Sequence, residues 1–204
     1  MRKLVVTTFV TLDGVMQAPG GPGEDPSGGF SHEGWLVPFF DEDAGAQMSE
    51  WFTGAEDFLL GRTTYDIFYA TCPKMISDDP ISQGLNFKKK YVASRTRDSV
   101  EWETAELLKG DVPDAIRALK AQDGGELQVH GSAGPIQTLL AEDLVDELRL
   151  TFFPVTLGEG KRLFGDGTIP RTWRLISHSV TPSGVLIAAY ENAGEVKTGS
   201  FGPE

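Results

Sequence analysis

Cysteine is all but missing: Cys72 stands alone among 204 residues, so no internal disulfide can form and the chain must be held by its core. Histidine is nearly as scarce. His32, His130 and His178 lie far apart with no C-x-x-C or H-E-x-x-H spacing, and the expectation is that no metal is bound. No window approaches the roughly 20 apolar residues of a membrane span. The opening Met-Arg-Lys-Leu-Val-Val-Thr-Thr also lacks the unbroken apolar stretch and small-residue cleavage site of a secretion signal. Basic residues are outnumbered, 18 Lys and Arg against 30 Asp and Glu, for a net charge of −12 at pH 7. Such a surface repels phosphate backbones and anionic lipid, so nucleic acid and membrane are poor partners and none is expected; the lone cysteine and the missing secretion signal make a cytoplasmic chain the expectation.

What is present suffices for one globular domain. Hydrophobic residues make up 40% of the chain and aromatics 10%. At this size about 70% of the extended chain's surface can be buried on folding. No internal repeat is evident. The two biased stretches are a Gly/Pro/acid segment from Pro19 to Gly34 and a polar tail, which sets the expected domain at 1–192 and the tail at 193–204. Trp35, Phe39 and Phe40 at the far end of the first stretch suggest a loop that packs down, with a lid as one reading.

Lys3 to Leu12 is apolar and β-branched on both alternating faces, the pattern of a central strand covered on two sides, and it stops at the Asp13-Gly14 turn. Asp43 to Gly54 carries Met48, Trp51 and Phe52 at helical spacing, and Phe58-Leu59-Leu60 is a short buried strand halted by Gly61. Tyr65, Phe68, Tyr69 and Cys72 form one face of a helix broken at Pro73. Tyr91 to Ala93 is a strand. Asp111 caps a helix with the stripe Val112, Ala115, Ile116 and Leu119, and Leu127 to Val129 is the next strand. Pro135 fits the first turn of a helix with the stripe Ile136, Leu139 and Leu140, and Glu147 to Leu157 resumes strand character. Trp173 to His178 and Val185 to Tyr190, joined through Pro182-Ser183-Gly184, read as a closing hairpin. The predicted fold is a single α/β domain with a mostly parallel central sheet, flanking helices and an antiparallel C-terminal hairpin.

The standard catalytic strings G-x-G-x-x-G, G-x-x-x-x-G-K-[ST] and G-x-S-x-G are absent. What recurs is a strand followed at once by a small residue and a turn or helix start: Gly61-Arg62-Thr63-Thr64, Ser94-Arg95-Thr96 and Gly131-Ser132-Ala133-Gly134. Carboxyl ends of parallel strands are where open α/β sheets bind ligands, and a helix start offers unpaired N–H groups to an anion. Two such starts flanking Ser94-Arg95 make a diphosphate cradle with an added cationic pocket, as a dinucleotide with a 2′-phosphate needs. Taken singly, each glycine could simply end a strand and each arginine could be a solvated charge; the ordered trio favours the cradle.

The segments Leu59 to Tyr65, Tyr91 to Arg95, Val129 to Gly134 and Leu148 to Phe164 together resemble the dihydrofolate reductase fold. More closely, they resemble the dihydrofolate-reductase-like proteins grouped with the reductase domain of the bifunctional riboflavin-biosynthesis deaminase-reductase. The resemblance runs from Lys3 to Tyr190 and implies an NADPH-binding reductase. By that pattern Gly61, Arg62, Thr63 and Thr64 meet the phosphates, Ser94, Arg95 and Thr96 the adenosine 2′-phosphate, and Gly131, Ser132, Ala133, Gly134, Pro135 and Ile136 the diphosphate. Val10, Thr11 and Leu12 border the nicotinamide. One departure stands out: dihydrofolate reductases carry Gly-Gly at the diphosphate turn, where this chain has Gly131-Ser132, and serine tolerates backbone strain less well. A homodimer is also implied, covering the C-terminal strands.

A hydride acceptor needs a proton too. Dihydrofolate reductases take it from a carboxylate on the helix after the first loop, but the corresponding point near Gly45 offers no acid. Asp13, at the end of the first strand, is the candidate, with a plain Asp-Gly turn as its competing role. Trp35, Met48, Phe52 and Phe153 are candidates to line a pocket for a planar heterocycle, against an ordinary core role. The function read from the sequence is an NADPH-dependent reductase of a small heterocyclic carbonyl or imine, pterin-like or pyrimidine-like. The alternatives are a nucleotide-binding or sensing module without turnover and a structural dimer without ligand.

Overall fold

The computed structural model describes residues 1–202 and forms one eight-stranded sheet. In chain order the strands are β1 (Leu4–Thr11), β2 (Ala55–Gly61), β3 (Lys90–Ala93), β4 (Ala105–Leu107), β5 (Glu126–His130), β6 (Glu147–Phe153), β7 (Trp173–Val180) and β8 (Leu186–Asn192). Their order across the sheet is β4-β3-β2-β5-β1-β6-β8-β7. All pairings from β4 to β6 are parallel, β8 pairs antiparallel with β6, and β7 pairs antiparallel with β8. β1 sits between β5 and β6 in the middle of the sheet, and a core layer packs on each side of it, so the residues of both faces are buried.

Among the described residues five α-helices cover the sheet: α1 (Glu42–Gly54), α2 (Arg62–Thr71), α3 (Pro80–Phe87), α4 (Val112–Lys120) and α5 (Ala133–Ala141). Side-chain alternation along β1 divides the core into two layers. Leu4, Val6 and Val10 pack with Ile116 and Leu119 of α4 and with Ile136 and Leu139 of α5. The opposite layer is aromatic, built from Trp35, Met48, Trp51, Phe52, Phe58, Leu85 and Phe153 beneath α1 and α3.

The structure adds two elements that the sequence pattern does not announce. α3 has a good start, since Asp79 accepts from the N–H groups of Ile81 and Ser82 and Pro80 occupies the first turn. Gly84 and Asn86, both weak helix formers, obscure the rest of it. β4 is only three residues long and is recruited by pairing with β3. β6 ends at Phe153 instead of Leu157, because Pro154 follows and the Val155 N–H turns back to the Phe153 carbonyl. No helix among the described residues is long and apolar enough to cross a membrane.

Candidate functional site

A cleft of about 1480 Å³ opens at the carboxyl ends of β2, β3 and β5. Pockets that hold one drug-sized ligand measure roughly 300–1,000 Å³, so this cleft is larger than one small ligand requires. The three recurrent turns meet here: Gly61, Arg62, Thr63 and Thr64, then Ser94, Arg95 and Thr96, then Gly131, Ser132, Ala133, Gly134 and Pro135 all line it. Met48 and Phe52 of α1 line it as well.

Ser132 ties two of these turns together. Its Oγ accepts from the Gly61 N–H at 2.8 Å and donates to Thr64 Oγ1 at 2.6 Å, joining the start of α2 to the start of α5. The backbone tightness expected of Gly-Gly survives with serine: Gly131 and Ser132 lie at φ +57° and +69°, successive left-handed residues. The hydroxyl bonds hold a conformation that serine would otherwise avoid. Gly61 is fixed by the same packing, since a Cβ there would come within 2.9 Å of Ser132 Cβ, Ser132 Oγ and Pro135 Cγ.

The helix starts differ according to their place. Asp41, Asp79 and Asp111 cap α1, α3 and α4 through their carboxylates. The α2 and α5 starts, at Gly61 and Ser132, have no side-chain cap and no acid in the first turn. Their N–H groups therefore retain their capacity to bind an anion, and both starts line the cleft. Around them, Ser94 Oγ accepts from the N–H groups of Thr96 (3.2 Å) and Arg97 (3.1 Å), shaping the turn after β3. Arg97 is committed to Asp66 and Glu101 and lies over the Tyr65 ring. Exposed Arg62 and Arg95 have no ion pair among the described residues, which leaves two guanidinium groups available in a protein of net charge −12.

Several sequence candidates lie elsewhere. Val10, Thr11 and Leu12 do not line the cleft; Thr7, Thr8 and Phe9 do. The cause is register: β5 ends where His130 pairs with Thr7, whereas β1 continues alongside β6 to Thr11. The cleft floor is thus reached three residues earlier along β1. Ile136 is fully buried against the sheet beneath α5. Trp35 and Phe153 pack edge to face at 5.5 Å in the aromatic layer, outside the lining.

Asp13 is likewise absent from the lining. Its carboxylate accepts from Thr11 Oγ1 at 2.6 Å and from the N–H groups of Leu157 and Gly158, with Gly158 at 2.7 Å. The Thr11 hydroxyl first, then these backbone donors, bring its pKa down to about 2 against the opposing effect of burial. This is a clamp between the β1 turn and the chain after β6. A lowered carboxylate pKa stabilises the fold above the unfolded value near 4, and the contribution is lost as pH falls toward 2. Asp13→Ala should therefore lower stability at pH 7 by about 2 kcal/mol. The gap from the wild type should close between about pH 4 and 2, a trend that denaturant melts across pH will check.

The structure also brings in residues that the sequence left unmarked. His130 and Thr7 meet on the floor, and Glu24, Asp25 and Lys161 line the wall. The Gly/Pro/acid segment is tied down along its length. Glu33 accepts from the N–H groups of Gly23 and Asp25, Gln17 Nε2 donates to the carbonyls of Asp25 and Ser27, and Lys161 bonds Asp25 at 2.5 Å. Trp35 Nε1 anchors its far end on the Gln17 carbonyl at 2.7 Å. The turn places Glu24 in the cleft wall, where burial raises its pKa, opposed by the Gly20 and Gly21 N–H groups and reinforced by Asp25 and Glu33. Among the described residues no cluster of three His, Cys, Asp or Glu side chains is spaced to hold a metal.

Comparison with known proteins bears on this site. A family model described as the RibD C-terminal domain matches residues 2–187. YyaP of Bacillus subtilis (strain 168), itself uncharacterized, is 28% identical over 194 residues, covering 93% of this chain and 94% of that protein. A Shewanella sp. PV-4 protein provisionally named for riboflavin biosynthesis superimposes with a TM-score of 0.65 at 25% identity, covering 93% of this chain and 98% of its own. Dihydrofolate reductase from Enterococcus faecalis, solved with NADP(H), superimposes with a TM-score of 0.58 at 14% identity, over 94% of this chain and 96% of that one, a likeness of fold.

Proposed function

The chain belongs to the RibD C-terminal domain family, and from that premise we propose that it is an NADPH-dependent reductase of a small heterocyclic carbonyl or imine. The observation that carries the reading is the pair of uncapped helix starts, locked side by side by Ser132, with two free guanidinium groups beside them. NADPH fits this donor set. The N–H groups of the α2 and α5 starts suit the diphosphate, Thr63 and Thr64 add hydroxyls, and Ser94, Arg95 and Thr96 suit the 2′-phosphate. The close approach at Gly61 keeps the cradle open to phosphate oxygens. When bound, the nicotinamide supplies a hydride.

The chain's own part is to position, to exclude water and to deliver a proton. Thr7, Thr8 and Phe9 form the floor, while Met48 and Phe52 form an apolar wall against which a planar ring can lie. Glu24 is the carboxyl suited to proton delivery: its burial keeps it protonated to higher pH than a free glutamate, and Lys161 is held away by Asp25. If it donates the proton, the rate of NADPH oxidation falls as pH rises through its pKa. Glu24→Gln should remove that limb of the pH profile and lower kcat at least tenfold, with NADPH affinity within threefold of the wild type.

A second reading, a binding or sensing module without turnover, draws on the cleft face of α1, which presents Met48 and Phe52 and no acid. Incubation with NADPH and a panel of pterins, pyrimidinones and quinones, followed by loss of reduced nicotinamide absorbance, separates the two. Saturable oxidation supports the reductase; tight NADPH binding with no oxidation supports the module.

We also propose a homodimer through the C-terminal hairpin. β7 exposes Leu175, Ile176 and Val180 at 47, 43 and 67%, and β8 exposes Leu186, an apolar edge that a second copy would cover. Light scattering at micromolar concentration should give twice the chain mass, and Ile176→Lys should halve it.

A further inference from the structure

The loop between Ala18 and Trp35 is drawn together first by its own backbone. The Gly34 N–H donates to the Ala18 carbonyl at 2.9 Å and the Leu36 N–H to the Pro19 carbonyl at 3.3 Å, so the outgoing and returning arms lie side by side. Gly34 sits at φ +79°, and a Cβ there would come within 3.3 Å of Gly21 Cα, which suits the crossing to glycine. This crossing brings Glu33 of the returning arm to the turn that carries Glu24.

Glu33 closes a clamp on that turn. One of its carboxylate oxygens accepts from the Gly23 N–H at 2.7 Å and the other from the Asp25 N–H at 2.9 Å, so one side chain holds both amide groups that flank Glu24. The Glu24 N–H turns back to the Gly21 carbonyl at 3.3 Å, and its Oε2 accepts from the Gly20 N–H at 2.5 Å. The carboxyl is thereby held in the cleft wall, which Glu24 lines and Glu33 does not.

The charges about Glu24 are unequal. Asp25 is offset by Lys161 at 2.5 Å, whereas Glu33 has no ion pair among the described residues and meets only uncharged N–H groups. Elsewhere in the lining stand Arg62 at the α2 start and His130 on β5, the latter kept neutral by burial and by the charge of Arg149. Burial is the chief influence that raises the Glu24 pKa, opposed by the Gly20 and Gly21 N–H groups and reinforced by Asp25 and Glu33. Glu33 acts on the first and the last of these influences, by fixing the buried placement and by adding a negative charge.

We infer that Glu33 is a positioning residue of the reductase site: its carboxylate, spanning the Gly23 and Asp25 N–H groups, holds Glu24 in the cleft wall as the proton donor. The inference rests on the reductase reading and extends it to a residue that lies outside the cleft. The loop then serves as the mount of the acid.

The test uses full-length protein carrying 13C at its glutamate side-chain carboxyls, without nucleotide or substrate, and the Glu24 signal is identified by its loss in Glu24→Gln. Glu33→Gln keeps the size of the side chain but leaves one acceptor oxygen for two N–H groups, and in it the Glu24 midpoint should fall by about one pH unit. Glu159 is an exposed acid that touches the same loop at Ser31 and His32. Glu159→Gln should leave the Glu24 midpoint within about 0.2 pH unit of wild type, since an exposed charge is screened. The limb of the kcat profile that falls with rising pH should move with the midpoint in Glu33→Gln, with NADPH affinity within about threefold of wild type. A further measurement needs no variant: in wild-type protein the Gly23 and Asp25 amides should exchange with deuterium at least about tenfold more slowly than that of exposed Gly28 in the same loop. An unmoved midpoint in Glu33→Gln, an equal shift in Glu159→Gln, or Gly23 and Asp25 amides that exchange as fast as Gly28 would each overturn the role of Glu33. Failure of the reductase reading looks different: no NADPH would be oxidised, or Glu24→Gln would leave kcat and its pH profile unchanged, while the carboxyl titrations and exchange rates are measured without turnover.

Discussion

Gly61→Ala is expected to weaken NADPH binding at least 30-fold, about 2 kcal/mol, while leaving a folded protein of reduced stability. The added Cβ meets Ser132 Cβ, Ser132 Oγ and Pro135 Cγ, each at 2.9 Å. None of these is the free end of a flexible side chain. Pro135 is a ring, and Ser132 is held at φ +69° by its bonds to Gly61 and Thr64. The strain must therefore part the two turns that present the α2 and α5 starts, at a stability cost of about 1–3 kcal/mol typical of overpacking. Adding Ser132→Gly removes two of the three contacts, so the double variant should recover part of the lost stability. It should recover less of the affinity, because the hydroxyl bridge goes with it. Calorimetric titration and thermal melts of the two variants check both parts. Unchanged affinity in Gly61→Ala would mean that phosphates do not sit between these turns.

Arg95→Glu is expected to weaken NADPH about 50-fold and NADH less than threefold. Only NADPH carries the 2′-phosphate, and the change replaces an attracting charge with a repelling one at an exposed site that has no competing ion pair among the described residues. Arg62 provides the contrast. Placed at the start of α2 and proposed to meet phosphates common to both nucleotides, it should give an Arg62→Glu variant that weakens NADPH and NADH by similar factors. Paired titrations of each variant with each nucleotide resolve the pattern. Equal losses for Arg95→Glu would place it away from the 2′-phosphate.

How far the sequence foretold this arrangement depends on the kind of signal each part carries. β1, β2, β5, α4 and the hairpin were legible because burial imposes periodicity on them. The trio at Gly61, Ser94 and Gly131 was legible because strand-end turns need small residues in fixed order. α3 was hidden by Gly84 and Asn86, and β4 is too short to carry a pattern. The cleft lining meets β1 at Thr7, Thr8 and Phe9, before the Val10 to Leu12 stretch that the resemblance placed beside the nicotinamide, since the point where β5 ends alongside β1 is a matter of pairing register that one strand's sequence cannot contain. For the same reason His130 and Thr7, 123 positions apart, gave no joint signal. Asp13 drew attention by its place after β1, yet its carboxylate is consumed by Thr11, Leu157 and Gly158, partners remote in sequence in two cases. Glu24 lay unmarked within an acidic loop. Only the folded loop, pinned by Glu33, Gln17 and Lys161, sets it in the cleft wall.

The most direct test of the account is a calorimetric titration of the purified protein with NADPH and, in parallel, NADH at moderate salt. Saturable binding of one NADPH per chain, at least tenfold tighter than NADH, is the predicted result. No saturable binding of either nucleotide would contradict the cradle at Gly61 and Ser132, and equal affinity for both would contradict the role given to Arg95.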